Sequence, residues 1–326
     1  MTAWLVTGGA GYIGAHVVRA LSSAGITPVV IDNMSTGKPE FVPTDVAIIE
    51  ADILDTGAVE AALRDHSCVG VIHLAGFKYA GESVKRPTHT YMQNVAGTAS
   101  LLDAMVAAGT ARLVFSSSAG VYGTPPTELV TETTPCVPES PYGETKLVAE
   151  WLIRDQVTAT AQSDAPLTAT SLRYFNVVGS GPDGVYDVSP HNLFPKVFGT
   201  LTAGGTPHIN GDDYATPDGT CVRDYVHVVD LAQAHAHAAL ALDAGRSLES
   251  VYNLGSGSGT SVREIMDAMR AVTGIDFEPH VGPRREGDPA RIVATGELAA
   301  RDLAWANTHT LEDMVRSAWD ANPAPS

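Results

Sequence analysis

The sequence predicts an α/β protein: a doubly wound parallel sheet with helices on both faces, followed by a smaller carboxy-terminal α/β lobe that binds substrate. Three observations predict it. Short apolar runs alternate with longer segments of helical period up to about residue 180; the first apolar run passes directly into a glycine-rich turn that opens a helix; and beyond residue 180 the regularity loosens into Gly-, Pro- and Asp-rich stretches at 179–190 and 203–219.

The strand candidates are 4–7, 29–32, 46–50, 69–74, 113–116 and 168–174. Between them, 13–24, 56–65, 88–108 and 142–160 carry apolar residues three and four apart, so consecutive strands are joined by crossover helices and run parallel. Residues 1–180 are expected to form a cofactor-binding unit and 181–326 mainly a substrate lobe, with segments within about 222–255 returning to the first unit.

Composition narrows the function. With 326 residues, 44% hydrophobic and 17% charged, the chain has the makings of a sizeable core. A net charge of −17 argues against a nucleic-acid partner, because affinity for phosphate backbones comes from clustered Lys and Arg. An anionic small molecule requires the few cations to be gathered locally, which draws interest to Arg284 and Arg285. No run of ~20 apolar residues is present, so no membrane span is expected, and the opening residues lack a basic and then apolar leader, so a cytoplasmic location is expected. Cys68, Cys136 and Cys221 are far apart and read as free thiols. The eleven histidines show no ligand spacing, so no metal is expected; His73 reads as a satisfied near-core residue.

Gly8, Gly11 and Gly14 form a G-x-x-G-x-x-G turn between the first strand and first helix. Glycine is needed there because a dinucleotide pyrophosphate must approach the backbone closely at the helix N-terminus. Asp32 ends the second strand, where a carboxylate accepts from the adenosine ribose; an acid at this place favours NAD over NADP by repelling a ribose phosphate.

A second constellation is Tyr142 and Lys146, four apart and therefore on one face of a helix. A phenol of pKa about 10 is a poor base at neutral pH, and a neighbouring ammonium favours the phenolate; a shift of roughly 3 units needs about 4 kcal/mol. The lysine charge together with a cationic nicotinamide is the expected source. A third is the run 116–123 (SSSAGVYG), which places hydroxyls at the carboxyl end of a parallel strand, where open α/β sheets bind ligands. Ser118 is positioned to bond a reacting hydroxyl and pass its proton to Tyr142.

Together, the glycine turn, the serine-bearing strand end and the Tyr and Lys pair resemble the extended short-chain dehydrogenase/reductases, which have a Rossmann-like fold. The segments 73–78 (HLAGFK), 81–84 (GESV), 172–176 (LRYFN), 222–230 (VRDYVHVVD), 252–255 (YNLG) and 283–288 (PRREGD) narrow the resemblance, over nearly the whole chain, to the UDP-glucose 4-epimerases. The resemblance implies an isomerase that interconverts UDP-galactose and UDP-glucose through a 4-keto sugar, with Ser118, Tyr142 and Lys146 catalytic. It implies an NAD site of Gly8, Gly11, Tyr12, Ile13, Gly14, Asp32, Asn33, Asp52, Ile53, Leu74, Ala75, Gly76, Lys78, Asn94, Tyr142, Lys146 and Phe175. The UDP-sugar site it implies consists of Lys78, Ser118, Tyr142, Asn176, Asn192, Leu193, Arg223, Arg285 and Asp288. It also implies a homodimer formed by the helices at 88–108 and 142–160.

The chain departs from this pattern in places. Gly120 stands where many members have Thr, which removes one potential substrate hydroxyl contact; His208, Ile209 and Asn210 replace a more apolar or aromatic run near the base; and Ile292 occupies a position where side-chain size admits or excludes an N-acetyl group. A 4,6-dehydratase sharing the oxidation step would need carboxylates beside the strand-end serine, where Ala119 and Gly120 stand. A non-catalytic NAD sensor would be expected to have lost Tyr142 or Lys146.

Overall fold

The computed structural model describes residues 1–285 and 289–322. In chain order it begins β1 (Ala3–Thr7), α1 (Tyr12–Ser23), β2 (Thr27–Asp32), β3 (Ala47–Glu50), α2 (Thr56–Asp65), β4 (Cys68–His73), α3 (Ala80–Lys85), α4 (Pro87–Tyr91), a π-helical turn (Met92–Ala96), α5 (Gly97–Ala108) and β5 (Arg112–Ser116). It continues through β6 (Leu129–Val130), α6 (Pro141–Thr160), β7 (Thr168–Tyr174), β8 (Asn176–Val178), α7 (Leu193–Thr202), β9 (His208–Asn210), β10 (Val222–Arg223), β11 (Tyr225–His227) and α8 (Val228–Asp243). The remainder is β12 (Val251–Leu254), β13 (Thr260–Ser261), α9 (Val262–Thr273), β14 (His280–Gly282), β15 (Arg291–Ala294), α10 (Glu297–Leu303) and α11 (Leu311–Ala321).

The doubly wound sheet is present, with seven parallel strands in the order β12-β7-β5-β4-β1-β2-β3. The inner strands β1, β2, β4 and β5 carry apolar runs because both of their faces are covered. One layer packs Val6, Val30, Ile72, Val114 and Leu172 beneath α1 and α8; the other packs Leu5, Val29, Val71, Leu113 and Phe115 beneath α2, α5 and α6. Trp4 is fully buried in the first layer and lies over Gly70, where any side chain would overlap its ring. Among the described residues no helix is long and apolar enough to cross a membrane.

The strands predicted from sequence match their observed positions to within about two residues. The predicted helix at 88–108 is instead α4, a π-helical turn and α5, and α3 precedes it. The π-helical turn carries Asn94, one of the residues the sequence resemblance implies for the cofactor site. After β7 the chain builds the second lobe from α7, α9, α11 and short strands around Phe194, Phe198, Met266, Met269 and Met314. The chain also crosses back: α8 lies against α1, and β12 joins the edge of the main sheet beside β7.

Candidate active site

β1, β2, β4, β5 and β7 are parallel strands of one sheet, so their carboxyl ends, and the loops after them that carry most of the predicted cofactor and catalytic residues, lie along the same edge. Beyond Thr7 the chain turns with Gly8 at φ +71°, and a Cβ on Gly8 would come within 2.9 Å of the Ala75 backbone nitrogen. A Cβ on Gly14 would overlap the Gly8 carbonyl. Gly11 is the N-cap of α1 and offers no side-chain cap, so the first-turn N–H groups have no side chain to satisfy them, as an anion site requires. Asp32 accepts from Ala10 N at 3.0 Å and from Met34 N at 2.9 Å, which fixes its carboxylate against the glycine turn, while burial raises its pKa. Asn33 donates to Asp52 at 2.9 Å, and Ile53 is buried against Gly97. The loop after β2 folds back through Lys38 N, which donates to the Ala10 carbonyl at 2.9 Å, and Lys38 Nζ reaches the Tyr186 hydroxyl at 2.7 Å. A backbone cradle that a Cβ would fill, beside a carboxylate at the end of β2, fits NAD.

The loop after β4 is held from both sides. Thr7 Oγ1 accepts from Leu74 N at 3.2 Å and Ala75 N at 3.1 Å. Asn94 accepts from Phe77 N at 2.6 Å and donates to the Phe77 carbonyl at 3.0 Å and to Thr145 Oγ1 at 2.9 Å. Its amide is therefore committed to protein groups and holds the loop carrying Leu74, Ala75, Gly76 and Lys78 against α6. Beneath this loop His73 is a buried, bonded core residue: Thr98 donates to the Asn94 carbonyl, so it accepts from His73 Nε2, and Nδ1 accepts from Thr7.

Ser140 caps α6 by accepting from Gly143 N at 3.2 Å, Pro141 takes the first helical position, and Ser83 Oγ accepts from Tyr142 N at 3.1 Å. The conspicuous G-E-S-V segment thus supplies a helix-end partner. Gly143 lets α6 close onto the turn at Gly120, whose carbonyl a Cβ on Gly143 would overlap. This contact sets Ser118, at the end of β5, beside Tyr142: a hydrogen bond from Ser118 favours the phenolate, whereas burial, the stronger influence, raises the phenol pKa. Lys146 donates to the Ser116 carbonyl at 2.8 Å, and burial brings its pKa down to about 8. The expected lowering of the Tyr142 pKa by Lys146 is not seen in this arrangement; the ammonium is turned to β5 and lies 5.9 Å from the Tyr142 ring centre. A Cβ at Gly120 would meet Ser118, Gly143 and Tyr142 only at ordinary contact distances, so crowding does not demand glycine there.

Between the lobes lies a cavity of about 560 Å³ lined by Tyr12, Ile13, Lys78, Phe175, Asn176, Asn192, Leu193, Arg223 and Arg285 among the residues anticipated from sequence. Asn176 donates to the Asp224 carbonyl at 3.0 Å and Asn192 to Asp187 at 2.6 Å, so each amide has a protein partner as well as a place in the wall. Asp288 lies outside the described residues. Ile292 is half-buried and packs against the cluster of Val121, Tyr122, Val130, Leu147 and Ala294, as do Phe175, Cys136 and Ala119. His208, Ile209 and Asn210 line the far end on β9. The sequence reading missed Tyr79, Tyr174, Asp187, His191, Lys196 and Tyr225, which also line the cavity. Lys196 lay one turn beyond Asn192 and was recoverable from that spacing; Tyr79 and His191, whose rings meet at 4.9 Å across the two lobes, carried no local signal. In a chain of net charge −17 the cavity gathers Lys78, Lys196, Arg223 and Arg285, a setting for a diphosphate.

Comparison with known proteins agrees. The NAD dependent epimerase/dehydratase family matches residues 4–255. The UDP-glucose 4-epimerase of Corynebacterium glutamicum is 42% identical over 318 residues, 97% of this chain and 94% of its own length. Among solved structures, UDP-glucose 4-epimerase from Brucella ovis in complex with NAD superposes with a TM-score of 0.92 at 38% identity, covering 98% of each chain. The enzyme from Stenotrophomonas maltophila, with bound NAD and formylated UDP-arabinopyranose, gives 0.92 at 39% identity and the same coverage. By sequence and by fold, this chain belongs to the NAD dependent epimerase/dehydratase family and, within it, to the UDP-glucose 4-epimerases.

Proposed function

We propose that the chain is an isomerase that interconverts UDP-galactose and UDP-glucose, with Tyr142, Ser118 and Lys146 as its catalytic residues and NAD as its cofactor. The observation that carries the reading is the meeting of Ser118 and Tyr142 at the end of β5, beside a cleft that holds four cations in an otherwise acidic chain. NAD, held by Gly8, Gly11, Gly14, Asp32 and the loop 74–78, supplies a reversible hydride acceptor for sugar carbon 4. Tyr142 takes the proton of the 4-hydroxyl with Ser118 in the hydrogen-bond path, and gives it back after the keto sugar has turned its other face. Lys146 contributes positive charge beneath the phenol. Arg223 and Arg285 hold the diphosphate, which anchors the substrate while the hexose turns. The cofactor unit is formed by residues 1–180 with parts of 222–255, and the rest is mainly substrate lobe.

The same reading includes a homodimer. Val84, Tyr91, Met92 and Trp151 are exposed apolar residues on α3, α4, the π-helical turn and α6, which pack side by side. Light scattering on the purified protein tests this; a monomer mass rejects it.

The test of activity is incubation with UDP-galactose, without added NAD, followed by NMR of the sugar. A mixture of both epimers that is lost in Tyr142→Phe is expected. No conversion even with NAD supplied rejects the substrate assignment.

A further inference from the structure

One helical turn past Lys146, Glu150 is buried with both oxygens engaged. Ser117 Oγ donates to Oε1 at 2.5 Å, and Arg173 on β7 approaches with Nε at 2.9 Å from Oε1 and Nη2 at 2.5 Å from Oε2. Arg173 in turn donates to the Tyr122 hydroxyl at 2.8 Å, and Tyr122 to Asn253 at 2.7 Å. Ser117 N is fastened to the Leu172 carbonyl at 2.9 Å. Replacing a buried ion pair with apolar residues is often neutral or stabilising, so stability alone gives little reason for one here. What this pair joins is specific: the residue next to Ser118, the helix that carries Tyr142 and Lys146, and the strand that leads to Phe175.

We infer that Glu150 is a positioning residue of the catalytic centre, clamping the Ser117–Ser118 strand end onto α6 and standing one turn along that helix as a counter-charge to Lys146. This rests on the epimerase reading. The groups facing Lys146 are Tyr142 and Glu150 on its own helix, the Ser116 carbonyl and Phe115 ring on β5, and His73 on β4; behind them stand Arg173, ion-paired with Glu150, Tyr174 against Tyr142 and Ser116, and His235 of α8 against Ser116. Burial holds His73 and His235 neutral, with pKa values of about 3 and about 4, and raises both tyrosines. Glu150 is thus the one anion in this set, and its charge raises the Lys146 pKa against the effect of burial.

The experiment uses the full chain with Glu150→Gln, which keeps the shape, and Ser117→Ala, which cuts the clamp and leaves the ion pair. In Glu150→Gln, the Lys146 resonance of protein carrying ¹³C-labelled lysine is expected to titrate lower by roughly one unit, and the alkaline limb of kcat to move the same way. In Ser117→Ala, kcat for UDP-galactose is expected to fall on the order of tenfold with KM unchanged and the Lys146 titration in place. Unmoved Lys146 titration in a folded Glu150→Gln, or wild-type kcat in Ser117→Ala, overturns the inference; if Glu150→Gln does not fold, the kcat and KM of Ser117→Ala decide it. Failure of the wild-type chain to convert UDP-galactose overturns the functional reading instead, and the lysine titration still decides the role of Glu150.

Discussion

Lys146 Nζ lies 5.9 Å from the centre of the Tyr142 ring while donating to the Ser116 carbonyl at 2.8 Å. The charge meant to serve the phenol is thus fixed by the strand end and not by the phenol itself. Its pKa of about 8 makes it titratable in the working range. On the proposed mechanism Lys146 acts protonated, so kcat is expected to decline as pH rises through about 8. In Lys146→Met, kcat should drop about a hundredfold and this limb should vanish. Initial rates over a pH series check both; a Lys146→Met profile retaining the alkaline limb would assign it to another group.

The three glycines of the turn differ in what they tolerate. Gly8→Ala places an L side chain at φ +71° and 2.9 Å from Ala75 N, and Gly14→Ala drives a Cβ into the Gly8 carbonyl; each is expected to abolish NAD binding or folding. Gly11→Ala, with an extended backbone and its nearest neighbour at 3.3 Å, is expected to fold and to bind NAD more weakly. Calorimetric titration with NAD and thermal melting separate these outcomes.

Asn94→Ala removes an amide that makes three bonds between the β4 loop and α6. A loss of about 2 kcal/mol in stability is expected, because Phe77 N and the Phe77 carbonyl lose their partner. NAD affinity should fall further than in Asn33→Ala, although the Asn94 side chain is committed to protein groups. Equal effects on affinity in the two variants would count against the loop-holding role.

Acid should unfold this protein in a particular window. His16, His73, His227 and His235 are buried, with pKa values brought down to about 4, 3, 4 and 4. Each accepts through one nitrogen: His16 from Gly181 N, His227 from Val229 N, His235 from Ser116 and His73 from Thr7. The folded pKa values lie below the unfolded value of about 6.5, so the unfolded chain binds more protons between the two. Stability is complete above about 6.5 and is lost as pH falls toward 4, at up to about 3 kcal/mol per ring. Melting temperature should therefore drop steeply over that interval; a flat profile there would contradict the neutral assignments.

Strand limits, the glycine turn and the Tyr and Lys spacing were legible because each depends on local period or on a backbone requirement confined to a few residues. Residues whose roles arise from distant partners were not. Glu150 looks like one more polar residue on an exposed helix until Arg173 and Ser117 arrive from two strands. The π-helical turn at Asn94 replaces the usual helical bonds with ones reaching one residue further, a change with no local residue signature. Lys146 was read as facing Tyr142 because both share a face of α6; its choice of the Ser116 carbonyl depends on how closely β5 approaches that helix.

The outermost place beside β7 is taken by β12, and α1 is covered by α8, both from the later part of the chain. A nascent chain leaving the ribosome with only its first 180 residues therefore carries an open sheet edge and a bare apolar helix face, each a template for wrong pairing. The main sheet can be completed only after residue 254 has been made, while α9 and α11, which supply much of the second core, are still to come. Closure of the sheet is thereby postponed until late in synthesis, and splitting the gene near residue 180 should give two insoluble fragments.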